Sequence, residues 1–216
     1  RLFTNNKKYN SEIGYFDSIG AWNKVLALKS KVTIDDRLSR FMLNRALYHS
    51  GKMADHLFIV PQEWGVHTLL LTMNATRECT MHSSDLFLDM GFIKGAEYWA
   101  IESQTFHPYS PRVLFRMAQT SVLRNDTASS EKYLSVLEHS VIYKSEADRI
   151  INHISSRNIS DLRNEWLSEK DIDIKSIYIN NSDPSYDLVE LLQQNPENKM
   201  AFEYLMSYYL LQNQIS

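Results

Sequence analysis

Four times along this chain a large apolar residue stands eight positions ahead of a helix-ending Gly or Asn: Leu43 before Gly51, Phe87 before Gly95, Met117 before Asn125 and Leu205 before Asn213. The residues between them recur at helical spacing. Gly and Asn tolerate the left-handed backbone that closes a helix and turns the chain back. A chain that repeats this phrase folds as antiparallel helical hairpins, and an all-α fold is the expectation.

Composition agrees. Over 216 residues there are only 6 Gly and 5 Pro, too few for the turn every 8–12 residues or so that a β-sandwich or barrel needs. Hydrophobic residues make up 44% of the chain, enough for a substantial core. The formal charge of −3, with no Lys/Arg stripe, argues against nucleic-acid binding, which draws much of its affinity from phosphate neutralisation. The single cysteine, Cys79, rules out an internal disulfide framework and a cysteine-rich zinc site. No apolar run approaches the length of about 20 residues that spans a bilayer.

The helices read as follows. Tyr15, Ile19, Trp22, Leu26 and Leu28 lie on two short helices broken at Gly20-Ala21. Thr33 or Asp35 caps a helix that carries Leu38 to Tyr48 and ends at Gly51, and 52–60 is its partner, stopped by Pro61. The stretch 61–83 has loop character, with a short helix at 68–73. Ser84 or Asp85 then caps a helix to about Ile93, and 96–105 returns. Pro111 suits a first helical turn. Asn125-Asp126 joins 111–124 to 127–139, with Asp126 or Thr127 as the cap, and 144–155 is a further helix. Alternating Ile172 and Ile174 suit an extended linker or a short strand. Helices at 184–195 and from Pro196 to Asn213 close the chain. The domain reading is thus a helical-repeat region over 1–156, a linker or irregular segment over 157–183, and the start of a further, truncated hairpin over 184–216. The last helix reads as unpaired, with Phe202, Leu205 and Tyr209 lacking cover.

Small residues beside the lead positions let the second helix of a hairpin approach the first. Met117-Ala118 and Leu88-Gly91 supply them on first helices, Ala100 and Ser130 on second helices. This pattern resembles tetratricopeptide hairpin repeats, and implies an irregular α–α superhelix. The strings Leu43-Asn44-Arg45-Ala46-Leu47-Tyr48-His49-Ser50-Gly51, Met90-Gly91-Phe92-Ile93-Lys94-Gly95-Ala96 and Asn195-Pro196-Glu197-Asn198-Lys199-Met200-Ala201-Phe202-Glu203-Tyr204-Leu205-Met206 resemble an uncharacterised family of Bacteroidetes membrane proteins. The resemblance implies a multi-spanning N-terminal part followed by a soluble helical-repeat part. This chain, which begins at Arg1, then reads as the soluble part of a membrane-associated protein, joined to the membrane through a segment absent here.

Chemistry-bearing motifs are scarce. The seven histidines, His49, His56, His67, His82, His107, His139 and His153, form no HExxH or His-x-His pair. No metal ligand set, cofactor or catalytic residue is assigned. Cys79 near His82 lacks a recognisable nucleophile setting and reads as a small buried apolar residue. Trp22 and Trp99 lie on apolar helix faces and read as core, whereas Trp64, in its Gln-Glu-Trp-Gly context, reads first as filling a gap between hairpins and second as exposed. If the repeat resemblance is carried over, the positions two before and two after each lead residue line a concave groove: Phe41 and Arg45, Asp85 and Asp89, Phe115 and Gln119. Such a mixed groove suits a protein or peptide segment. The functional expectation is a non-enzymatic protein-interaction scaffold beside a membrane. The alternative is an accessory region of a membrane-bound enzyme whose site lies in absent spans.

Overall fold

The computed structural model describes residues 2–31, 36–71, 76–167 and 183–213. These form twelve α-helices and two short 3-10 turns, with no strand among the described residues. The helices are α1 Leu2–Ser18, α2 Trp22–Ala27, α3 Arg37–His49, α4 Met53–His56, α5 Cys79–Asp89, α6 Ile93–Phe106, α7 Pro111–Leu123, α8 Thr127–Leu137, α9 Lys144–Ser155, α10 Ile159–Leu167, α11 Ser185–Gln194 and α12 Lys199–Asn213. They divide into two compact units, residues 1–74 with 180–216 and residues 75–179. No described helix is long and apolar enough to cross a membrane.

In the second unit each helix packs on the next, α5 to α6 to α7 to α8 to α9, and α10 returns against α9 and α7. Ser110 stands at the N-cap of α7 with Pro111 in its first turn, where a missing N–H costs nothing. The Asp126 carboxylate caps α8 by accepting from the Ser129 N–H at 3.1 Å. Leu114, Ala118, Val122, Leu134, Leu137, Ala147, Ile150 and Leu162 form the core beneath α7 to α10. Leu162 of α10 is fully buried there, so part of the segment expected as linker is structured. Its apolar residues, Ile159, Leu162, Trp166 and Leu167, do follow a helical spacing, but polar neighbours obscure it. Ile172 and Ile174 lie outside the described residues.

The second hairpin turns four residues earlier than the sequence spacing suggests. Gly91, not Gly95, takes the left-handed conformation, at φ +74°, and α6 already begins at Ile93. Gly95 is glycine for a different reason. A Cβ there would lie 2.7 Å from Cδ1 of Phe92, whose buried ring meets Phe87 edge-on. Ser84 and Asp85 are accordingly not caps; both lie inside α5, which starts at Cys79.

With Gly91 as the turn, two hairpins share one register. Gly91 and Asn125, the latter at φ +61°, are 34 residues apart. Seven before and five after each turn stand Ser84 with Ala96, and Ala118 with Ser130, all fully buried. The Ser84 hydroxyl donates to the Ala96 carbonyl at 2.7 Å, and the Ser130 hydroxyl to the Ala118 carbonyl at 3.1 Å. The same crossing is thus made twice with Ser and Ala exchanged between helices. Small side chains let the backbones approach, and each hydroxyl finds its partner on the facing helix.

Two glycine substitutions separate these causes. Gly95→Ala should lower stability, because about 1–3 kcal/mol of overpacking outweighs the roughly 1 kcal/mol of helix propensity gained. Gly14→Ala, also within a helix but with nothing within 4 Å of the added Cβ, should instead raise stability by about 0.5–1 kcal/mol. Paired thermal melts check both signs.

In the first unit α3 contacts α1, α2 and α4, while α11 packs on α12 and α12 on α4. Asp36 caps α3 through the Ser39 N–H at 3.2 Å; the expected caps Thr33 and Asp35 lie outside the described residues. The partner of α3 is shorter than the spacing predicts: α4 covers Met53–His56 only, and Leu57–Ile59 continues as 3-10 helix. The irregular stretch after Pro61 is held by side chains instead of a helix ladder. Buried Asn44 donates Nδ2 to Gln62 Oε1, to the Thr68 carbonyl and to Thr68 Oγ1, at 3.1–3.2 Å. Gln62 donates back to Asn44 Oδ1 at 2.9 Å and to the Leu57 carbonyl at 3.0 Å. Leu69, Leu70 and Leu71 are buried without forming the expected helix.

Candidate functional site

The six groove positions are placed as follows. Phe41 is fully buried in the first unit. Arg45 is buried too: Nη1 donates to Asp17 Oδ2 at 2.9 Å, and the guanidinium lies 4.9 Å from the Trp22 ring centroid. His49, one turn further along α3, stacks on Trp22 at 4.2 Å with 6° between the planes. Trp22 is therefore half-buried between side chains and not wholly within the core. An open dish of about 420 Å³ beside it is lined by Gly20, Trp22, Asn23, Lys24, His49 and Ser50.

In the second unit Asp85 is buried and receives two arginines of α7. Arg112 Nη2 donates to Oδ2 at 2.5 Å and Arg116 Nη2 to Oδ1 at 2.7 Å. The pair Arg112 and Arg116 is spaced one turn apart, so both reach one carboxylate on the facing helix. Gln119 is buried, Asp89 and Phe115 are half-buried, and the Phe115 ring lies 5.1 Å from that of Tyr143. The sequence spacing carried no sign of Arg112, Arg116 or Asp17 as partners, because their pairing depends on which helices become neighbours.

Further from these positions, Arg149 links Glu146 at 2.9 Å to Glu165 of α10 at 2.7 Å. Its charge is held on by those hydrogen bonds. Arg124 pairs with Glu97 across α6 and α7. Cys79 is a buried thiol, in no disulfide, beside Thr76 Oγ1. Trp99 is buried, as expected, whereas Trp64 is exposed and does not fill a gap between hairpins.

An exposed apolar stripe runs along α12. Phe202 is 54%, Met206 45%, Tyr209 42% and Leu210 48% exposed. These positions follow i, i+4, i+7, i+8 spacing, one stripe of a helix. Leu205, expected in that strip, is buried instead, and Tyr204 is fully buried with its ring edge-on to Tyr48 at 6.1 Å. The strip is therefore turned toward Met206 and Leu210, since Tyr204, Leu205 and Tyr208 are buried on α12, which packs on α4 and α11.

One titrating pair anchors this region. The Tyr208 hydroxyl donates to Asp183 Oδ1 at 3.2 Å, and the Ser185 hydroxyl donates to the same oxygen at 2.6 Å. Hydrogen bonds from Ser185, then from Tyr208, hold the Asp183 carboxyl below its ordinary value. Burial, with the Asp183 charge beside it, pushes the Tyr208 phenol up to about 12. The folded phenol therefore keeps its proton where the unfolded one, near 10, has lost it. Its contribution to stability is complete below about pH 10 and is lost between about 10 and 12. Asp183 works at the other end: its contribution is present above the unfolded value near 3.9 and is lost as pH falls through the lower folded value. Tyr208→Phe should flatten the alkaline loss, read as denaturation midpoints across pH 9–12 or so.

The fold and these surfaces define an all-helical hairpin protein with buried ion pairs at Arg45–Asp17 and at Asp85, and with one exposed apolar stripe along α12. The chain belongs to a family of unknown function, DUF6057, whose model matches residues 3–216. No curated protein and no solved structure matches it.

Proposed function

We propose that this chain is a tetratricopeptide-like scaffold for protein interaction, the soluble part of a larger membrane-anchored protein. The repeated hairpin carries the reading. Its left-handed turns at Gly91 and Asn125 stand 34 residues apart, which is the period of tetratricopeptide arrays. The small-residue crossing recurs at the same distances from each turn. Stacked hairpins of this kind bury a continuous core and leave extended faces for peptide or protein segments. Membrane anchoring rests on the resemblance of the 195–206 string to a membrane-protein family of Bacteroidetes.

The partner that the α12 strip suits is an amphipathic helix. Phe202, Met206, Tyr209 and Leu210 form a seam of the kind one helix offers another, and a helix laid along it would bury that seam at i, i+4, i+7 contacts. Of the groove positions, Asp89 and Phe115 keep some surface and belong to the same proposed face-binding role. The test is in-cell photo-crosslinking of the full-length protein in its membrane, from a photoreactive residue at Tyr209, with Phe202→Glu plus Met206→Glu as the control. The expected result is one protein partner captured by the wild type and lost from a control whose melting temperature is retained. Capture of no protein, or equal capture by the control, overturns the proposal.

A further inference from the structure

A second cavity, within the first unit and away from the α12 strip, has the chemistry of a small-molecule site. It measures about 140 Å³ and lies where the ends of α2, α3 and the short α4 meet. Its floor is aliphatic, from Leu26, Leu47 and Val60; Leu47 and Val60 are each only 3% exposed. Its polar lining residues all carry side-chain nitrogens: Lys29 from the turn after α2, Lys52 from the turn before α4, and His56 at the end of α4. Neither lysine is ion-paired with a described residue. His56 has its Nδ1 buried with no hydrogen-bond partner among the described atoms.

Three features of this arrangement point the same way. Two exposed lysines line one apolar cavity, so an anion seated there meets positive charge from both. A buried ring nitrogen without a partner is uncommon in folded proteins and asks for an explanation. The volume then sets the ligand's size: an apolar cavity of about 150 Å³ accommodates benzene. No carboxylate lines the site to compete with an anion.

We propose that this cavity binds a small amphipathic carboxylate, of the size of benzoate or hexanoate. The apolar body rests on Leu26, Leu47 and Val60, and the carboxylate accepts hydrogen bonds from Lys29 and Lys52. Two lysines supply point charges that a single carboxylate satisfies through charge-assisted hydrogen bonds. The aliphatic floor discriminates against inorganic anions, which have no apolar surface to bury, and the volume discriminates against long acyl chains. The site is independent of the scaffold reading, since its ligand is a small molecule and its elements do not include α12.

Titration calorimetry on the whole chain tests this with benzoate and hexanoate as probes, against benzamide and inorganic phosphate. Saturable one-site binding of at least one carboxylate is expected, with a Kd on the order of 1 mM, within reach of a ligand of roughly nine heavy atoms. Benzamide and phosphate should each bind about tenfold weaker or worse, the factor carried by one charge-assisted hydrogen bond or by the apolar body. The double variant Lys29→Gln, Lys52→Gln should lose carboxylate binding by about tenfold or more while keeping its melting temperature, since both lysines are exposed and unpaired. Three results overturn the proposal: no saturable binding by either carboxylate, phosphate bound as tightly as benzoate, or undiminished binding by the folded double variant.

Discussion

Arg45→Glu is expected to cost about 3–5 kcal/mol or more, enough to unfold a unit of ordinary stability. The Arg45 side chain is 7% exposed and its partner Asp17 is 0% exposed, 2.9 Å away. Reversal places a second carboxylate against a buried one and removes the guanidinium that faces it. Removing both charges together, as Asp17→Leu with Arg45→Met, should restore most of the loss, because a buried pair roughly balances its own desolvation. Urea denaturation read by tryptophan fluorescence checks the order, and Trp22 beside the guanidinium makes a local reporter. A loss below about 1 kcal/mol for Arg45→Glu would show that the pair lies in water, not in the protein.

Asp85→Ala should have the next largest effect, about 3 kcal/mol, at the lower end of the range for breaking a buried pair. Two guanidinium groups converge on this carboxylate, whose side chain is 6% exposed. Arg112 is 34% exposed and can turn to water, whereas Arg116 is 13% exposed and keeps most of the penalty. Glu165→Gln, at a carboxylate 54% exposed in its pair with Arg149, should stay within about 1 kcal/mol. The contrast, read in one set of urea midpoints, separates buried from solvated ion pairs within a single unit.

Both predictions bear on how function is probed. Arg45 and Asp85 stand at positions where a repeat groove would present charges, and their side chains are committed to partners within their own units. Charge changes there report folding before they report binding. The exposed apolar residues of α12 and the lysines of the α2–α4 cavity can be altered without breaking an ion pair, so they carry the functional tests.

Helix positions were most legible where two local signals coincide. Asn125 closes α7 by adopting the left-handed backbone and Asp126 caps α8 in the next step; both properties belong to the residues themselves. Lys144–Ser155 was legible in full, its Ile150, Ile151 and Ile154 marking one side of a helix. The second hairpin was misread at Gly95 because a glycine can serve either a turn or a close approach, and spacing does not say which. Only the position of the Phe92 ring shows that Gly95 serves the approach and Gly91 the turn. The stretch after Pro61 was legible as irregular but not as ordered, since the Asn44, Gln62 and Thr68 bonds join residues 18 to 24 apart.

The sequence by itself therefore determined the helical class, most helix ends and the small residues at which helices cross, since these follow from backbone preference and from apolar spacing within one or two turns. Tertiary structure decided which carboxylate each arginine meets, which side of α12 stays bare and where a cavity forms between helix ends. Those outcomes depend on the rotation of each helix about its axis and on its neighbours. A step of one residue turns a side chain by about 100°, enough to move Leu205 into the core and leave Met206 in water.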